Sequence, residues 1–149
     1  MSGTKKGAID MNREDKHLLI EEASKARRNA YVPNSGFRVG AALLTETGKI
    51  ITGSNMELMN MPESICAERC AITKATSMGY HRFAAIAIVS DAPEPIAPCG
   101  FCRQTMIDFG SDWSVLMSDP GQNNIIETTV GELLPYAFIG SKYKPEKKE

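Results

Sequence analysis

The sequence has no surplus of charge of either sign: 17 Lys and Arg stand against 18 Asp and Glu, leaving a formal net charge of -1. Proteins that grip a polyanion carry a basic excess on one face. Neither a basic stripe nor an alternation of basic and aromatic residues runs through this chain, so nucleic acid is not an expected partner. Long apolar runs are missing too. Nothing approaches the ~20 residues of a membrane-spanning helix, and no apolar stretch of signal-peptide type follows Met1. No membrane partner is expected, and a reducing cytoplasmic or nuclear setting is. Histidine is scarce, with 2 in the chain. His17 lies among the charges of a helix and His81 in a turn after Gly79-Tyr80, both surface positions and poor ligand candidates. Gly36, Gly40 and Gly48 lack phosphate-binding spacing, and Met56, Met59, Met61, Met106 and Met117 are dispersed in the manner of packing residues.

Against this plain background stand 4 cysteines. In a reducing compartment a Cys-x-x-Cys spacing favours metal over disulfide. Cys66-Ala67-Glu68 is followed later in the chain by Pro98-Cys99-Gly100-Phe101-Cys102, which gives three thiolates and one carboxylate not needed as a ligand. Structural zinc sites close with four protein ligands, whereas catalytic ones use three and keep a position for water. Glu68 is then placed as the proton shuttle for that water. Three thiolates on Zn²⁺ leave a net charge of about -1, which weakens the metal as a Lewis acid. Helix N-termini at both motifs offset this, and Arg69 or Arg103 can donate hydrogen bonds to the sulfurs. A competing reading adds Cys70 as a fourth ligand, since Cys66 and Cys70 are four apart on one helical face. The protein would then be a non-catalytic zinc-stabilised one with Glu68 incidental. Cys70 lies a full turn into the helix, away from the loop cysteines, and reads better as a small buried apolar residue.

The pattern along the chain is that of one domain over residues 12–140, between a flexible tail, 1–11, and a charged tail of alternating sign, 141–149. Asn12 with Asp15 forms a capping pair for a helix whose stripe is Leu19, Ala23, Ala26 and Ala30, ending near Tyr31-Val32-Pro33. Strands are expected at 39–45, 49–54, 84–89, 113–117 and 125–130. Helices are expected at 66–78, closed by Gly79, and at about 100–109, with a last short piece beginning at Leu133-Leu134-Pro135. The order β-β-α-β-α-β-β implies an α/β fold, a mixed five-stranded sheet flanked by helices in three layers.

With these residues in view, the stretch from Tyr31 to Phe138 resembles the small, homotetrameric, three-cysteine cytidine deaminases of pyrimidine salvage. The resemblance rests on Tyr31-Val32-Pro33-Asn34-Ser35-Gly36-Phe37-Arg38-Val39-Gly40-Ala41-Ala42, Gly53-Ser54-Asn55-Met56-Glu57, Ile65-Cys66-Ala67-Glu68-Arg69, Pro98-Cys99-Gly100-Phe101-Cys102-Arg103-Gln104 and Glu132-Leu133-Leu134-Pro135. Cys-x-Glu followed by Pro-Cys-x-x-Cys is the arrangement of zinc deaminases acting on nucleobases. The resemblance implies the cytidine deaminase fold, Zn²⁺ on Cys66, Cys99 and Cys102, and Glu68 as the catalytic acid and base. It implies hydrolysis of cytidine and 2′-deoxycytidine to the uracil nucleosides and ammonia. It further implies Phe37 packing on the pyrimidine, Asn55 and Glu57 clamping the ribose, the Ala67 N–H meeting the base carbonyl, and Phe138 lent to a neighbouring subunit's site in a tetramer. The chain departs from the family at Leu58-Met59-Asn60-Met61, where Asn-Ala-Ser or Asn-Ala-Cys and then Tyr is usual, and at Phe138-Ile139-Gly140 in place of Phe-Gly-Pro. The altered segment leaves room for another cytosine nucleoside such as blasticidin S, whose deaminases share the zinc signature.

Overall fold

A computed structural model describes residues 10–143. Most of the two expected tails, 1–9 and 144–149, therefore lies outside the described residues. The first helix, α1 (Arg13–Arg27), starts on the capping box of Asn12 and Asp15, each side chain accepting the other's backbone N–H. It ends a turn earlier than the apolar stripe suggests. The backbone of Tyr31 pairs instead with the strand-like segment beyond Ser54, Tyr31 N–H donating to Asn55 and Glu57 N–H to Tyr31, at 3.0 and 2.8 Å. Ala30 thus falls outside the helix, and Ile20 completes the buried face with Leu19, Ala23 and Ala26.

Strands β1 (Val39–Thr45) and β2 (Ile50–Ser54) form an antiparallel hairpin, with β3 (Phe83–Ser90) antiparallel on the other side of β1. β4 (Ser114–Ser118) lies parallel to β3, and β5 (Ile125–Thr129) antiparallel to β4. The sheet order is β2-β1-β3-β4-β5. Helices α2 (Ala67–Ser77) and α3 (Gly100–Ile107) are followed by the short α4 (Val130–Leu133). α4 begins earlier than Leu133 because Thr129 and Glu132 form a second capping box, and it stops before Pro135.

β1 is buried along its whole length and β3 nearly so, as a continuous apolar run requires. Alternate residues feed two cores. Val39, Ala41, Leu43, Ile86 and Ile88 face α2 and α3, while Ala42, Leu44, Ala85, Ala87 and Val89 face Leu19, Ile20 and Ala23 of α1. Each buried Ile contributes roughly 1.5–3 kcal/mol relative to exposure. Two glycines let the helices come this close. A Cβ on Gly40 would lie 2.0 Å from the Ala23 carbonyl oxygen of α1, and one on Gly53 2.5 Å from the Ala67 carbonyl oxygen and the Ala71 nitrogen of α2. α2 is thereby fixed against β2, and it carries half of the candidate site.

Candidate active site

Cys66 is the N-cap of α2 and Cys99 the N-cap of α3, so both motifs sit at helix N-termini. Gly79 and Gly110, in left-handed conformations with φ of 91° and 118°, follow the far ends of the same two helices. The three sulfurs of Cys66, Cys99 and Cys102 lie within 4.8 Å of one another. Cys66 to Cys99 is 3.6 Å and Cys99 to Cys102 is 3.5 Å. Tetrahedral zinc with bonds of ~2.3 Å sets its sulfurs ~3.8 Å apart, so the triangle fits that ion. Cys70 is not in the cluster. It is half-buried, one turn along α2, with its Cβ against Gly53.

Glu68 is 4% exposed, and its Oε2 lies 3.5 Å from the Cys102 sulfur. Burial holds its carboxyl above the usual carboxylate range, opposed by its own backbone N–H and reinforced by the nearby Cys66 charge. Cys66 is drawn down to about 5, first by its interaction with Cys102 and then, against burial, by the Arg69 guanidinium; Cys102 is pushed up by the same interaction and by burial. Zinc ligands must be deprotonated, and Cys66 is the sulfur whose surroundings favour the thiolate.

The two candidate arginines differ. Arg69 Nη2 donates to the Cys66 sulfur at 3.5 Å, and its guanidinium lies 5.7 Å from the centre of the Phe101 ring. Arg103 does not turn to the sulfurs. Its Nε donates to the Pro98 carbonyl at 2.8 Å and its Nη1 to the Leu133 carbonyl at 2.9 Å, which anchors the chain entering Cys99.

A cavity of about 170 Å³ opens beside the sulfurs, lined by Val39, Asn55, Cys66, Ala67, Glu68 and Cys99, with Ile96 and Ala97. Ala67 is fully buried in the first turn of α2, where backbone N–H groups have no partner within the helix. Sharing Asn55 and Cys66, a second hollow of about 400 Å³ runs past Glu57, Met61 and Phe101. Asn55 and Glu57, two apart in an extended segment, both reach toward residues 35–39. Asn55 Oδ1 accepts from Val39 N–H at 2.9 Å and its Nδ2 donates to the Phe37 carbonyl at 3.0 Å. Glu57 Oε1 accepts from the Ser35 hydroxyl at 2.7 Å. Phe37 itself is 40% exposed, with its carbonyl held by Asn55. Phe138 stands apart from both hollows, stacked on Tyr143 with centroids 5.4 Å apart. Val39, Ile96 and Ala97 are lining residues that sequence reasoning missed. Closeness to Phe37 and to Cys99 along the chain was the available signal. His17 is half-buried, not a free surface residue, because its ring bonds to the Gln122 side chain. His81 is exposed.

A five-stranded sheet presenting a sulfur triangle and a buried glutamate at two helix N-termini defines a zinc hydrolase architecture. A family model for the cytidine and deoxycytidylate deaminase zinc-binding region matches residues 13–118, and the chain belongs to that family. A cytidine deaminase from Halalkalibacterium halodurans is 47% identical over 125 residues, covering 83% of this chain and 94% of the relative. The crystal structure of cytidine deaminase from Burkholderia pseudomallei superposes with a TM-score of 0.79 at 45% identity, covering 86% of this chain and all of that one. A blasticidin-S deaminase from Bacillus cereus is 34% identical over 128 residues, covering 80% of this chain and 89% of the relative.

Proposed function

We propose that the protein hydrolyses cytidine and 2′-deoxycytidine to uridine and 2′-deoxyuridine with release of ammonia, in the cytoplasm, as a step of pyrimidine salvage. The observation that carries this is a buried carboxylate, Glu68, beside a three-sulfur metal site in a cavity that Asn55 also lines. When bound on Cys66, Cys99 and Cys102, zinc polarises a water molecule and lowers its pKa toward neutrality.

The remaining chemistry belongs to side chains. Glu68 takes the proton of the attacking water and gives it to the ring nitrogen next to the amino-bearing carbon. It then carries a proton to the amino group, which leaves as ammonia. Burial suits this alternation, because it brings the carboxyl closer to neutral pH and lets it act in both directions. The Ala67 N–H is available to the base carbonyl. Phe37 covers the ring, while Asn55 and Glu57 meet the ribose hydroxyls. Arg69 offsets the negative charge of the sulfur cluster.

Assembly into a homotetramer with shared sites follows from the same reading. It is supported by the exposure of Met59, Tyr136 and Phe138 at 101%, 106% and 66%, since large apolar groups left in water mark association surfaces. Phe138 would complete a neighbour's site. A specific observation favours a second substrate, blasticidin S: Met61 lines the hollow where similar enzymes place a Tyr, and a blasticidin-S deaminase is among the relatives. Chromatography of products from cytidine, deoxycytidine and blasticidin S, each supplied at equal concentration, separates the readings. The ordinary nucleosides should turn over fastest. Exclusive turnover of blasticidin S would replace the main reading with the second, and full activity in a sedimenting monomer would remove the tetramer.

A further inference from the structure

Two parts of the lining of the 170 Å³ cavity come from segments far apart in sequence: Val39 from the start of β1, and Ile96, Ala97 and Cys99 from the loop after β3. One residue joins them. Asp91, the first after β3, accepts from Arg38 N–H at 2.9 Å and from Arg38 Nε at 3.0 Å through the same Oδ2. Its own N–H donates back to the Arg38 carbonyl at 3.0 Å. The other oxygen, Oδ1, lies 3.4 Å from Arg27 Nη1, and that nitrogen also donates to the Ser90 carbonyl at 2.9 Å. Asp91 therefore ties together the end of α1, the Phe37–Val39 segment and the root of the loop that delivers Cys99.

We infer that Asp91 is a positioning residue for substrate binding, holding the Phe37–Val39 segment, of which Val39 lines the cavity, against the root of the loop that carries Ile96 to Cys99. Asn55 holds the same segment from the opposite side, bonding the Phe37 carbonyl and the Val39 N–H. The two peptides that follow Phe37 are thus each held by Asn55 and by Asp91, while its ring stays 40% exposed. An aromatic on a segment pinned in this way meets a flat ligand without a fresh ordering cost. Asp91 touches neither the cavity nor the sulfurs, so its loss should spare the metal and the proton transfers and degrade the fit of the base. This inference rests on the reading of Phe37 as the residue that covers the pyrimidine.

The test is a double-mutant cycle on the zinc-loaded enzyme with Asp91→Ala, Phe37→Ala and the pair, read as KM and kcat for cytidine, with zinc content and a thermal melt for each variant. Asp91→Ala should raise KM about tenfold, the scale of one lost charge-assisted hydrogen bond, with kcat changed far less and zinc unchanged. Added to Phe37→Ala, it should raise KM no further, because the aromatic it positions is already gone. Asp91→Asn retains one acceptor for the Arg38 N–H and should lie between. It also keeps the test open if the alanine variant folds poorly. Additive effects on KM, or loss of kcat and zinc with KM unchanged, would overturn the positioning role and leave the deaminase reading standing. An unchanged KM in Phe37→Ala would instead remove the reading of Phe37, and the inference with it.

Discussion

Glu68 Oε2 and the Cys102 sulfur lie 3.5 Å apart, although their residues come from different helices. That contact places the buried carboxylate against the metal site, beside a cluster that already has three sulfurs. Catalytic zinc sites need this division, with protein atoms filling three positions, the fourth left to water, and a proton carrier beside it that is not a ligand.

The same division predicts how the cysteines differ. Cys99→Ala should abolish stoichiometric zinc and activity together. Cys70→Ala should keep one zinc per chain and near-normal turnover, at a stability cost of up to about 1.5 kcal/mol for a small packing change. Metal analysis beside an activity assay reads both. Loss of zinc in Cys70→Ala would restore the four-cysteine site.

Arg69 should matter for metal retention more than for substrate binding. It donates to the Cys66 sulfur from a perch over Phe101. Arg69→Ala is expected to weaken zinc ~10–100-fold in chelator competition, as losses around metal ligands commonly do. KM should move little. An unchanged zinc affinity would show that the hydrogen bond to sulfur carries no weight.

Gly53 links packing to catalysis. Its Cβ would lie 2.5 Å from backbone atoms of Ala67 and Ala71, which cannot swing away as a side chain can. Gly53→Ala should therefore push α2 off β2, costing roughly 1–3 kcal/mol. Because Cys66 and Glu68 ride on that helix, kcat should fall too. Urea unfolding and kinetics on one preparation check this, and a fully active, equally stable variant would contradict it.

Asp91 should appear in acid stability. Its hydrogen bond with Arg38, and secondarily the charges of Arg38 and Arg27, hold its carboxyl below the ordinary 3.8. Between that lowered value and 3.8 the unfolded chain binds more protons than the folded one, so stability rises with pH across the window. The contribution is complete above 3.8 and is lost as pH falls through the folded value. Asp91→Asn should flatten this part of the profile in urea midpoints measured down the acid range. An unchanged slope would mean that the carboxylate adds nothing there.

Much of this was legible in residues whose roles are local. The Asn12 and Asp15 box, the Gly79 stop, the apolar runs of β1 and β3 and the two cysteine motifs at helix starts all act within a few positions of sequence. What was not legible depends on partners distant in the chain. α1 ends early because Tyr31 pairs with the segment after β2, and Arg103 serves the Pro98 and Leu133 carbonyls instead of sulfur. The Asp91 junction joins residues 27, 38 and 91, which no periodicity or spacing brings together.

The central claim, that Glu68 moves the protons of a zinc-assisted deamination, is tested by the fall in ultraviolet absorbance of cytidine with zinc-loaded protein and its Glu68→Gln variant. The wild type should convert cytidine. The variant should be folded, hold its zinc, and turn over at least ~10²-fold more slowly, the usual size of a lost general acid and base. Comparable rates from the two proteins would remove Glu68 from the reaction.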